Sequence, residues 1–297
     1  RRPNIYGSAT MENVKRAERL GARAYAEWFS KMRQNGENFT RVWMAPWWCG
    51  LEWRRDCTGY HGLGFYNQAN AARLDRIIEL AEKEGIYLNL ETANHGMFST
   101  FIDKQWEFNP FNRIHEGGFL RYATDFFLNE RARNLHRRKL RYTIARWGYS
   151  PAIAWWGIMT EAEWVEPYYR GTGHANPKKV EAASWVPRPY KTKQYKDDFI
   201  RWIVEMDGYI RKTDAHPHLV SAHFSNPQNG AELWQKPGND IVHNNAYTFF
   251  AKYWKKPLFR ESKGCVDVIR VFCDDYRKYS RKKPLLIGEW AGNPQDR

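Results

Sequence analysis

Acidic side chains are scarce in this chain: 33 Asp and Glu face 47 Lys and Arg in 297 residues, leaving a net charge of +14. Such a balance favours anionic partners: nucleic acid, an acidic glycan or an anionic surface. No apolar run approaches the roughly 20 residues that cross a bilayer, which excludes a helical membrane span. There is no zinc-finger spacing, no RNA-recognition signature and no glycine-rich phosphate loop. A nucleic-acid partner therefore rests on charge alone and is not expected. No linker and no low-complexity tract interrupts the chain. The opening Arg1-Arg2-Pro3 lacks the charged-then-apolar pattern of a signal peptide, an opening that fits a mature form or a segment of a longer protein.

Cysteine is also sparse, with four residues in two pairs, Cys49/Cys57 and Cys265/Cys273. Neither pair has zinc-ligand spacing, and no metal or organic cofactor is expected. The first pair lies in a Gly- and Trp-rich loop, where a local disulfide is sterically reasonable. The second pair spans eight residues of a predicted helix, about 12 Å, too far for a bridge.

Aromatics are plentiful. Tryptophan occurs 15 times, and Trp43, Trp47, Trp48, Trp53, Trp164 and Trp290 fall outside apolar periodic stretches. Core packing explains any one of them; as a set they suit the apolar faces of sugar rings. The densest basic cluster is Arg131, Arg133, Arg137, Arg138, Lys139 and Arg141. On a helix these spread over several faces and read as a solvated surface.

The pattern alternates strand and helix throughout. Residues 11–34 predict a helix. Leu74, Ile77, Ile78 and Ala81 repeat at helical spacing within 69–84, and Gly85 ends that helix. A long helical region is expected from about residue 91 to Trp147, where Pro151 follows. Further helices are expected at about 195–212 and 266–280. Strand-like runs fall at Phe39–Met44, Ile86–Leu90, Ile153–Met159, His218–Ala222, Asp240–Tyr247 and Pro284–Gly288. This periodicity argues for parallel βαβ units. Without a dinucleotide turn, a (β/α)8 TIM barrel is favoured over a Rossmann sheet. The six runs would be strands 2–7 of that barrel, with strands 1 and 8 outside the chain. Residues 1–297 would form a single catalytic domain, a segment of a longer natural protein.

Catalytic groups of such barrels sit at the C-terminal ends of strands. Glu161 follows Trp156-Gly157-Ile158-Met159-Thr160, and Glu289 follows Pro284-Leu285-Leu286-Ile287-Gly288. A carboxyl placed there is partly desolvated, which raises its pKa toward general-acid duty. Two such acids are what glycosidic bond cleavage requires. Glu163 is an alternative to Glu161, and a salt-bridged loop acid is the bland reading of either.

Arg146-Trp147-Gly148-Tyr149-Ser150-Pro151, leading to Trp156 and Glu161, resembles the fourth-strand signature of cellulase-like glycoside hydrolases of family 5 and its relatives, a retaining clan built on (β/α)8 barrels. Thr40-Arg41-Val42-Trp43 resembles the clan's second strand, and Lys283 to Glu289 its seventh. The likeness covers residues 25–292 in the correct order. It implies Glu161 as acid/base and Glu289 as nucleophile, with Arg41 and Tyr247 supporting the nucleophile. Asn94, His95, Thr160, Trp47, Trp48, Trp164 and Trp290 would bind substrate, and His243 falls in the sixth-strand region. Thr160 departs from the clan's usual Asn, which donates to the sugar 2-hydroxyl. The implied protein is a secreted, periplasmic or cell-surface hydrolase of β-linked glycosides. Its partner would be a carbohydrate, with an anionic glycan as the variant suggested by the charge, within a larger assembly or beside additional domains. A non-catalytic glycan-binding or structural barrel within a cell-surface assembly is the rival, favoured by Thr160 and by the two strands not found in the chain.

Overall fold

The computed structural model describes residues 21–171, 192–225, 229–247, 265–279 and 282–291. Among these, the strands are β1 (Phe39–Trp43), β2 (Tyr87–Glu91), β3 (Ile153–Gly157), β4 (Leu219–Ser221), β5 (His223–Phe224), β6 (Val242–Tyr247) and β7 (Leu285–Ala291). Every pairing is parallel: β1-β2-β3-β4 in one ladder and β5-β6-β7 in another. Only Ala222 separates β4 from β5. Its N–H is diverted to the side chain of Asn239 (2.7 Å), which interrupts the strand. The His223 N–H still reaches the Met159 carbonyl (3.0 Å), so the pairing with the chain beyond β3 resumes.

The helices lie between the strands, as parallel connections require. They are α1 (Arg23–Gln34), α2 (Gln68–Glu84), α3 (Asp125–Leu128), α4 (Glu130–Trp147), α5 (Glu166–Gly171), α6 (Thr192–Thr213), α7 (Ala231–Trp234) and α8 (Cys265–Tyr279). In α2, Asn67 caps the N-terminus by accepting from the Asn70 N–H, and Gly85 closes the helix in the left-handed conformation (φ 68°). Leu74, Ile77 and Ile78 are fully buried, each contributing about 1.5–3 kcal/mol of transfer free energy. Arg146 and Trp147 of α4 both donate to Asp75 of α2, locking two adjacent helices.

The expected long helix is confined to α4. Residues 95–124 are turns instead, because side chains compete for the backbone there. Asn109 accepts from the Phe111 N–H, and Asn112 from the Ile114 N–H. The basic cluster on α4 is indeed dispersed. Arg133 and Arg137 pair with Glu130 and Glu205, and Arg131 lies over the Phe119 ring (4.0 Å). Lys139 is buried, with Glu52 as its opposite charge. The Cys49–Cys57 bridge does not form: both thiols are buried and free. Residues 11–20 of the first expected helix lie outside the described residues, as does the Cys265 side chain.

Strand side chains alternate in direction, and here the two faces differ in kind. Val42, Leu88, Leu90, Trp156 and Val220 join the apolar core. The opposite face carries Arg41, Asn89, Glu91, His223, His243 and Asn245, all buried. A buried polar face must satisfy itself by internal bonding, and it is this face that builds the site.

Candidate functional site

Glu161 lies four residues beyond the end of β3. Its path is set by strand-like bonds on both sides: Ile158 N–H to Ser221 O (2.8 Å) and Thr160 N–H to Ala93 O (3.1 Å). A parallel bridge joins Thr160 to Asn94. Glu161 then turns into the left-handed region (φ 45°, ψ 52°), a strained conformation for a residue with a Cβ. Its N–H donates to His223 Nδ1 (3.0 Å), which holds the turn.

Glu289 arrives from β7 through a register shift. Asn244 opposes Ile287 while Asn245 opposes Glu289, leaving Gly288 as the extra residue. Such a bulge re-aims the following side chain. Only glycine fits, since a Cβ on Gly288 would overlap His243 and stand 3.3 Å from Arg41 Nη1. Arg41 of β1 forms an ion pair with Glu289 through Nη2. The side chains of Glu161 and Glu289 are 16% and 15% exposed, so each keeps some access to solvent.

One hydrogen-bond network joins them. Arg41 Nη1 lies 3.1 Å from His223 Nδ1. His223 Nε2 lies 2.7 Å from Asn245 Oδ1, and Asn245 Nδ2 donates to Glu161 Oε1 (2.9 Å). These roles are consistent only if His223 is neutral with its proton on Nε2. Burial, reinforced by His243 and Arg41, holds its pKa well below the ordinary value. Glu161 is pushed up to about 7, chiefly by burial; His95 and Arg41 oppose the rise, and Glu289 and Glu163 add to it.

A third acid lies beneath. Glu91 ends β2 with no exposed surface, accepts from Asn89 Nδ2 (2.8 Å), and leaves Oε2 without a partner. Its carboxyl rests on Gly157, where any Cβ would overlap it. Burial raises its pKa to about 7, against the pull of Arg41. The folded protein therefore favours the protonated acid. That contribution to stability is complete below the ordinary value of 4.5 and is lost as pH rises to about 7. Glu91→Gln, neutral at every pH, should accordingly gain on wild type between pH 5 and pH 8, by on the order of 3 kcal/mol. Chemical denaturation of both proteins at the two pH values measures this, and a pH-independent difference would refute it.

The other expected site residues are placed as follows. His95 is buried, with Nδ1 3.5 Å from Glu161 Oε2. Asn94 is buried, and its amide donates to Gln105 (3.3 Å). Thr160 is buried with its hydroxyl unbonded. Trp290 is half exposed directly after Glu289. Trp47 is half-buried beside Trp43. Trp164 is half-buried and its ring N–H donates to Ser225 (2.8 Å). Trp48 is away from the surface: it stacks on Tyr25 (5.6 Å) and lies beneath Arg73, a core position. Glu163 is buried among donors, Ser225 N–H and Oγ at 2.9 Å and Asn229 Nδ2 at 3.2 Å. Tyr247 closes β6 opposite Ala291; its side chain lies outside the described residues. His223, Asn245 and Glu91 were not anticipated. No periodicity marks them; the only signal was a polar residue inside an apolar strand. Among the described residues, no cluster of three metal-ligating side chains is present. No described helix is long and apolar enough to cross a membrane.

No protein-family profile matches the sequence, and no curated protein matches it. Solved structures do. An endo-1,4-β-D-mannanase from Thermotoga petrophila RKU-1 superposes with a TM-score of 0.59 at 16% identity, over 90% of this chain and 74% of that one. An endo-1,4-β-mannanase from Rhizomucor miehei gives 0.58 at 15%, over 96% and 74%. A family 5 mannosidase from Rhizomucor miehei gives 0.56 at 16%, over 90% of this chain and 62% of that one. At these identities the likeness is one of fold alone: this chain folds similarly to these two mannanases and this family 5 mannosidase.

Proposed function

We propose that this protein is a retaining glycoside hydrolase of β-linked glycosides, built on a (β/α)8 barrel of which residues 1–297 form one catalytic domain. The barrel reading is supported by the wholly parallel pairing of the described strands, in two ladders, and by Arg41 of β1 reaching Glu289 of β7. The observation that carries the function is the divergence of two carboxyls in one network. Glu289 is held against the Arg41 cation, whereas Glu161 is pushed up to about 7 by burial. An acid that holds its proton by burial, beside one paired with a cation, is the division that acid and nucleophile roles require.

Glu161 gives its proton to the leaving oxygen while a Glu289 oxygen attacks the anomeric carbon, forming a glycosyl ester and breaking the glycosidic bond. The Glu161 carboxylate then takes a proton from water, whose oxygen displaces Glu289 and restores both groups. Arg41 holds the Glu289 carboxyl in place, and Asn245 and His223 orient Glu161. Tyr247 is assigned to Glu289 as a second support. Trp290, half exposed directly after the nucleophile, serves as a sugar platform, and Trp47 and Trp164 are assigned to further sugar contacts. Thr160, too short to replace the amide of Asn, leaves recognition of the 2-hydroxyl to another group. The mannan-active neighbours put a β-mannan first among neutral substrates. The net charge of +14 keeps a carboxylated or sulfated glycan as the comparison. A secreted or cell-surface setting follows from a polymeric substrate.

The test is incubation with β-mannan, a panel of other β-glycans and aryl β-glycosides, with the anomer of the first product read by proton NMR. Retention is expected. Inversion would overturn the double displacement, and tight glycan binding without turnover would favour the binding-protein alternative. The pH profile offers a second check. Loss of the Glu161 proton as pH rises through about 7 should bring kcat/KM down along a basic limb near neutrality. A profile flat to pH 9 would remove Glu161 as the acid.

A further inference from the structure

Beside the site lies a pair of groups that the double displacement does not use. His95 opens the turn His95–Phe98 after β2 and is 1% exposed. Its Nε2 stands 2.9 Å from Asp103 Oδ2; its Nδ1 makes no hydrogen bond and stands at ion-pair distance, 3.5 Å, from Glu161 Oε2. Asp103, in contrast, has a side chain 64% exposed. The loop that carries it folds back tightly. A Cβ on Gly96 would stand 2.6 Å from the Asp103 carbonyl oxygen and 2.7 Å from Gln105 Nε2. The Gln105 N–H donates to the Gly96 carbonyl (3.0 Å), and Asp103 itself takes a left-handed φ of 46°. A non-glycine residue is held there only by its surroundings.

Facing two carboxylates, an imidazole can donate to both only when each nitrogen carries a hydrogen, which is the imidazolium. We propose that Asp103 is a positioning residue that keeps His95 as a cation, and that this cation, through Nδ1–H, stabilises the Glu161 carboxylate formed once its proton has left. The energetics agree. Burial works against the charged ring, and Asp103, Glu161 and Glu163 together outweigh it, raising His95. The bond from His95 lowers Asp103 in turn. The groups facing His95 are Asp103 from its own loop and Glu161 and Glu163 from the chain after β3. Those facing Glu161 are His95, Glu163, Glu289 of β7 and Arg41 of β1, with His223 neutral.

The role assigned to Glu161 rests on the hydrolase reading; the charge of His95 does not. Removing the Asp103 anion lowers the pKa of His95. A neutral His95 no longer opposes the proton on Glu161, whose pKa then rises. The experiment is NMR titration of protein labelled at histidine and glutamate side chains, in wild type, Asp103→Asn and Asp103→Ser. His95 and Glu161 are assigned from His95→Gln and Glu161→Gln. In wild type the His95 ring should remain imidazolium at pH 7. In both Asp103 variants its pKa should fall, and that of Glu161 should rise, by about one unit. The basic limb of kcat/KM should move upward with Glu161 while KM stays near wild type; a role confined to packing would leave the limb in place. A neutral His95 in wild type at pH 7, or titration curves indifferent to Asp103, would overturn the proposal. A shift of His95 without Glu161 would overturn its second half. Turnover is not needed for these readings, so failure to cleave any glycoside would count against the hydrolase alone.

Discussion

Glu289→Gln is expected to abolish turnover, by about 10⁴-fold or more in kcat, while substrate affinity stays near wild type. The amide keeps the size and the contact surface of the acid but cannot attack an anomeric carbon. Loss of a nucleophile removes the covalent route itself, and effects of this size are usual when a group that acts as part of a unit is deleted. The substitution should also separate binding from chemistry. Matched neutral and sulfated oligosaccharides titrated against the variant at two salt concentrations would show whether the net charge of +14 contributes. Attraction between exposed charges is screened over about 8 Å at physiological salt, so only the anionic sugar should lose affinity at high salt. Equal turnover in wild type and Glu289→Gln on every glycoside tested would remove Glu289 from the chemistry.

Arg41→Met should be the most damaging change away from the carboxyls themselves. Arg41 is buried and serves Glu289 and His223 at once, with Glu91 close enough to feel its charge. Removing one member of a buried pair costs about 3–5 kcal/mol, because the partner is left charged without compensation. Without the guanidinium, Glu289 also loses the partner that fixes its carboxyl, so kcat should fall together with stability. Thermal melts and steady-state kinetics measure the two effects. A variant as stable and as active as wild type would show that Arg41 does not hold Glu289.

The helices α2, α6 and α8 were legible because apolar residues recur at helical spacing between recognisable ends, as Leu74, Ile77 and Ile78 do before Gly85. The turns between His95 and Thr124 were not. Their cause is asparagine side chains bonding backbone groups two residues on, a local competition that periodicity does not register. The expected Cys49–Cys57 bridge failed for a related reason. Sequence separation permits a disulfide, and only the fold decides where each thiol points.

By itself the sequence determined the alternation of helix and strand, the parallel character of the strands, and the placement of Glu161 and Glu289 just beyond apolar runs. These depend on hydrophobic spacing along the chain, which is local information. The tertiary structure alone decided which polar residues of different strands share the inner face. His223, Asn245 and Glu91 are separated from Arg41 by 182, 204 and 50 positions, yet parallel register carries all of them to one buried layer with it. The charge states of that layer were beyond the sequence for the same reason. Whether a carboxyl keeps its proton near pH 7 depends on how much water the surrounding strands exclude and which cation they bring beside it. In this protein Glu289 has Arg41 and Glu161 has burial, a difference written in no stretch of chain around either residue.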